Sequence, residues 1–101
     1  LVEKKSSPSW FSIPIILTEK SKFKRKQLIS YLEKNGIESR PIIVGNLQNH
    51  PVGKIFKEFG EKKFPNADYI HNKGIYIGLS PITDDITFKK MMKVFEKFLN
   101  C

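Results

Sequence analysis

With 101 residues, 40% hydrophobic and 12% aromatic, the chain can bury one core and little besides, so a single compact domain is expected. A deep, fully enclosed active site beside that core is difficult to build at this length. The formal net charge is +8, but 16 of the 18 cations are lysines spread along the whole chain, which favours a solvated surface over a nucleic-acid face.

Residues 1–8, with Lys4, Lys5, Ser6, Ser7 and Pro8, read as a tail or linker stub. They start at Leu1 without an initiator methionine or a signal-length apolar run, so a fragment or processed product is expected. In SWFSIPIILT (9–18), Phe11, Ile13, Ile15 and Leu17 alternate onto one face, as in a half-buried strand. Pro14 cannot donate to a ladder, which makes this an edge strand or one with a bulge. Trp10 and Phe11 fall at strand spacing and are expected in the core. Ser21 is the expected N-cap of a helix reaching Asn35, with Leu28, Ile29 and Leu32 as its buried stripe and Phe23 near the start. Gly36 stands where a left-handed C-cap belongs, with Ile37 as its apolar partner.

IESRPIIV (37–44) predicts a second strand interrupted by Pro41, and GNLQNHP (45–51) a polar loop. A short helix follows over 52–60 through Ile55, Phe56 and Phe59. NADYIHNKG (66–74) predicts one or two helical turns capped by Asn66 and stopped by Gly74. GIYIGLS (74–80) predicts a third strand on which Tyr76 points away from Trp10 and Phe11. The last element is a helix over 84–99, capped by Thr83, with Asp84 and Asp85 at its positive end. Ile86, Met91, Met92, Phe95, Phe98 and Leu99 recur at three and four residues along it. Three strands and two long helices predict an α+β two-layer sandwich, a small mostly antiparallel sheet with helices on one face.

No apolar run approaches the ~20 residues needed to span a bilayer. Cys101 is the one cysteine, so no internal disulfide can form, and a reducing, cytoplasmic setting is expected. With two histidines, His50 and His71, and no cysteine pair, no metal spacing results. The adjacent Asp84 and Asp85 are explained by the helix dipole and not as a catalytic pair.

Three side chains stand out as candidate substrate contacts. Arg40, at the rim of a strand, suits bidentate contact with a phosphate or carboxylate, or else pairs with Glu38 or Glu33. Asn46 and His50 lie in a loop that also carries Gln48 and Asn49, a density of donors and acceptors that suits sugar hydroxyls. The same loop is also readable as a turn whose Asn side chains satisfy their own backbone. His71 reads as a capping or surface histidine. The charge, with strand aromatics such as Tyr76, leaves a small basic nucleic-acid-binding α+β module as the alternative.

SWFSIPI, LISYLEKNGIESRPI, GNLQNHPV and PNADYIHNKGIYIGLSP together resemble the C-terminal domain of the DegT/StrS family. These are fold-type-I pyridoxal-phosphate enzymes acting on nucleotide-linked keto-sugars. The run around GN and NADYIHNKG is most similar to the sugar 3-dehydratase branch, although Ser39 and Ser80 depart from its commoner residues. The resemblance implies a small aminotransferase-like domain, residues 9–101, that closes over a nucleotide-linked keto-deoxy-sugar in cell-surface polysaccharide or lipopolysaccharide sugar biosynthesis. It implies that pyridoxal phosphate and the catalytic residues belong to an absent N-terminal domain. On that basis this chain alone binds no cofactor and is inactive, and the parent is a homodimer. Transamination and dehydration both stay open.

Overall fold

The computed structural model describes residues 4–56 and 62–101. In chain order they form β1 (Ser12–Ile16), α1 (Arg25–Lys34), β2 (Ser39–Pro41), two 3-10 turns (Leu47–Asn49 and Pro51–Ile55), α2 (Pro65–Lys73), β3 (Gly74–Gly78) and α3 (Asp85–Leu99). The expected helix over 52–60 is a 3-10 turn as far as Ile55, and its end lies outside the described residues. The sheet runs β1-β3-β2 with both pairings antiparallel, as the α+β reading expects. The most buried strand, β3, is therefore central, and Pro14 sits on an edge strand without a bulge in its register.

Cross-strand register decides which residues share a face. Ile13 opposes Ile77, Ile15 opposes Ile75, and Ser39 and Pro41 line up with the same two isoleucines. Leu28 and Leu32 of α1 and Phe98 of α3 cover that face, giving a five-residue buried core with Ile75 and Ile77. The rings of Phe23 and Tyr31 lie 4.3 and 5.0 Å from that of Phe98 and extend the core outward.

The C-terminus of α1 follows its sequence signal closely. Gly36 adopts φ 74°, Ile37 N–H donates to the Leu32 carbonyl at 2.9 Å, and Gly36 N–H donates to that of Glu33 at 3.0 Å. Those two bonds are the Schellman pair, and the left-handed residue between them is one that lacks a Cβ. Starts are less well foreseen. Ser21 closes a local turn onto Phe23 and does not cap α1, which begins after Lys24, whose N–H donates to Gln27 Oε1 at 2.7 Å. That turn lets Phe23 reach Phe98. At α3 the cap is Asp84, one residue after Thr83, with its carboxylate accepting from Thr87 N–H at 2.7 Å. At α2, Pro65 occupies the first helical position behind Phe64, so Asn66 is inside the helix.

Two expectations about burial are corrected. Trp10 and Phe11 lie before β1 and are exposed, because the strand begins only at Ser12. On α3 only Phe98 is fully buried, while Ile86, Met92 and Leu99 remain exposed. Met91, Val94 and Phe95 are partly buried against the core, so the apolar stripe is only partly covered.

Candidate groove and its loop

On the sheet face opposite the core, Arg40 of β2 stands beside its cross-strand partner Tyr76 of β3. The ring of Phe11 meets Tyr76 edge-on, centroids 6.2 Å apart and planes at 67°. Tyr76 and Phe11 therefore touch, where strict alternation had set them on opposite faces; the bend at Phe11 breaks the alternation before the strand starts. These residues line an open groove of about 680 Å³ between the end of β3, the start of β2 and the first turns of α3. Lys90, Ser80, Thr83 and Thr87 add a second cation and three hydroxyls to its wall.

Glu38, the residue just before β2, folds back alongside Arg40. Its Oε1 accepts from Nη2 at 2.6 Å and from Nε at 3.0 Å. Both side chains are largely solvent-exposed, at 66% for Arg40 and 76% for Glu38, so the pair adds little to stability. The other arginine is used internally: Arg25 Nη1 donates to the carbonyls of His71 at 2.8 Å and Gly74 at 3.4 Å. Of the two arginines, Arg40 is the one presented to a ligand-sized space.

Asn46 and His50 do not line that groove. Asn46 is buried, at 4% exposure. Its Oδ1 accepts from Gln48 N–H at 3.0 Å and its Nδ2 donates to Asp68 Oδ1 at 2.7 Å, so both ends of the amide are engaged. Asn49 Nδ2 donates to the same carboxylate oxygen at 2.7 Å. His50 is exposed and its Nδ1 accepts from Val52 N–H at 3.2 Å, which starts the second 3-10 turn. The turn-like reading of this loop thus has direct hydrogen bonds behind it. His71 is half-buried beneath Gly45, and its Nδ1 is buried without a hydrogen bond.

Asp68 is the residue that sequence reasoning missed. It ties the loop to α2, and the signal was present: two Asn donors three residues apart need an acceptor. The side-chain hydrogen bond from Asn46, then that from Asn49, with a smaller contribution from the charge on His71, hold its carboxyl below the usual carboxylate range.

Residues 1–98 match the model of the DegT/DnrJ/EryC1/StrS aminotransferase family. The chain belongs to that family. Within it, the chain is 34% identical over 90 residues to GDP-4-keto-6-deoxy-D-mannose 3-dehydratase of Yersinia pseudotuberculosis, covering 88% of this chain and 23% of that protein. It is 33% identical over 94 residues to the lipopolysaccharide biosynthesis protein RfbH of Salmonella typhimurium, covering 93% of this chain and 22% of that protein. A crystal structure of GDP-4-keto-6-deoxymannose-3-dehydratase with a trapped PLP-glutamate geminal diamine superposes with a TM-score of 0.66 at 34% identity, over 84% of this chain and 22% of that one. The chain thus spans less than a quarter of these family members.

The family member described here should carry an acid-sensitive loop. Because the folded-state pKa of Asp68 is depressed, its contribution is complete above the unfolded carboxylate value, near 3.9, and is lost as pH falls through the lower folded value. Thermal melts from pH 6 downward should show the wild type losing more stability below about pH 4 than an Asp68→Asn variant. Equal acid slopes would mean that the Asn46 and Asn49 bonds do not distinguish the ionised carboxyl.

Proposed function

We propose that this chain is the small, substrate-closing, C-terminal domain of a pyridoxal-phosphate-dependent enzyme that acts on a nucleotide-linked keto-deoxy-sugar. The family membership and the names of the relatives support a role in lipopolysaccharide or other cell-surface sugar synthesis, on the 3-dehydratase branch. The observation that carries the site is Arg40: an exposed guanidinium on the rim of a groove lined by aromatic rings and hydroxyls. A nucleotide sugar presents matching chemistry, with phosphates for the guanidinium, rings for the aromatic side chains and hydroxyls for Ser80, Thr83 and Thr87. In this reading Asn46 acts from behind, by shaping the loop after β2, and His50 offers its exposed Nε2 edge.

The groove by itself is a poor fit to pyridoxal phosphate. Lys90 is the amine on its wall, and the carboxylate there that would pair with a pyridine nitrogen, Glu38, is taken up by Arg40. In this reading the cofactor is held by the part of the parent enzyme that this chain does not span.

The test is Arg40→Met in the full enzyme. Loss of a charge-assisted contact worth roughly 1.5–3 kcal/mol should lower kcat/KM for the nucleotide sugar about 10- to 100-fold. Cofactor content and its absorbance should stay as in the wild type. An unchanged kcat/KM would remove Arg40 from the site.

A further inference from the structure

Among the described residues, Arg40–Glu38 is the one ion pair within 4 Å, in a chain with 18 cations. That pairing occupies one edge of the guanidinium, Nε and Nη2, through a single carboxylate oxygen. The opposite edge remains for a ligand. Any phosphate bound there lies across the guanidinium from a fixed negative charge, and the repulsion between them grows with the charge on that phosphate.

We infer that Glu38 biases the phosphate site at Arg40 away from the free nucleoside diphosphate and toward the doubly substituted diphosphate of a nucleotide sugar. This inference rests on the proposed role of Arg40. In a nucleotide sugar each phosphorus has one ester and one anhydride linkage and carries one negative charge. A free nucleoside diphosphate ends in a phosphate held by the anhydride linkage alone, whose second ionisation lies at about pH 6, so at pH 8 that phosphate carries nearly two charges. Glu38 repels both ligands, but it repels the terminal dianion more. Lys90, on the same groove wall, draws any anion in. The part that Glu38 contributes is therefore read by changing Glu38 alone. In an open, solvated groove the extra charge, some 6–7 Å away, should alter relative affinity about threefold.

The experiment is calorimetric titration of the full enzyme at pH 8 and low salt with GDP-mannose and with GDP, for the wild type, Glu38→Gln and Arg40→Met. Glutamine keeps an oxygen that can orient Arg40 while removing the charge. Glu38→Gln is expected to tighten GDP about threefold more than GDP-mannose, shifting the ratio of the two affinities toward GDP. If the ratio of the two affinities is the same in Glu38→Gln as in the wild type while Arg40→Met loses both ligands, the selectivity assigned to Glu38 is wrong and the role of Arg40 stands. If Arg40→Met retains wild-type binding, or the wild type binds neither ligand, the role of Arg40 fails and the selectivity fails with it. Both residues are exposed, so neither substitution removes a core contact, and melting curves of the variants should coincide with that of the wild type.

Discussion

Leu32→Ala should cost about 2–5 kcal/mol, a large share of the roughly 5–15 kcal/mol that holds a domain of this size together. Leu32 is completely buried, and it is one of five side chains that make up the core. It sits on α1 between the sheet and Phe98, so truncation opens a void at the junction of both layers. Collapse around that void is opposed by Ile75, itself fully buried on the central strand. A larger domain spreads such a loss over many contacts; here there are few others to hold the two layers together. Urea unfolding followed by circular dichroism would show the midpoint shift. A midpoint within experimental error of the wild type would mean that the α1–sheet packing is not what stabilises the fold.

Gly45→Ala is the second large effect, and its origin is different. A Cβ built on Gly45 would lie 2.4 Å from His71 Cα and 2.7 Å from His71 N, both backbone atoms of α2. A flexible side chain could yield to such a contact, but α2 is held by Arg25 on the His71 carbonyl and by Tyr69, whose hydroxyl donates to the Leu17 carbonyl at 2.8 Å. The loop must therefore lift off the helix. Lifting it also stretches the Asn46 and Asn49 bonds to Asp68. The expected cost is at the upper end of the roughly 1–3 kcal/mol usual for overpacking. Gly78→Ala is the matched control, since nothing lies within 4 Å of its would-be Cβ. Thermal melts should separate the two variants clearly; coincident melts would show that the loop does not rest on α2.

The features legible in the sequence were those set by local chemistry. Gly36 and Ile37 announced the end of α1 because that motif is written in adjacent residues, and GIYIG read as a strand, although its place at the centre of the sheet was not written there. Helix starts were displaced by one to three residues, because several polar side chains stood near each and tertiary contacts chose among them. Ser21 was drawn into a turn that delivers Phe23 to the core, and Asp84, which brings a carboxylate to the helix dipole, took the cap from Thr83. β2 fell short of the eight residues expected, since the chain turns away after Pro41.

Within the candidate site, Arg40 could be named from sequence because its alternatives were neighbours in the chain. Its pairing with Glu38 was among them. Asn46 could not be resolved that way. Whether an amide faces a ligand or a buried carboxylate depends on Asp68, 22 positions away, and only the folded chain brings the two together. Trp10 and Phe11 illustrate the converse: strand spacing marked them for burial, and the bend before β1 left them outside.

The uneven seating of α3 divides its work along its length. Phe98 is buried in the core, and Phe95, Val94 and Met91 pack against the same cluster, so the later turns tie the helix to the sheet. Thr87, on the groove wall, is eleven residues before Phe98, about 16 Å at 1.5 Å per residue. A change of side chain in the first turn therefore reshapes the mouth of the groove without touching Phe98, so the opening and its anchorage are served by different residues.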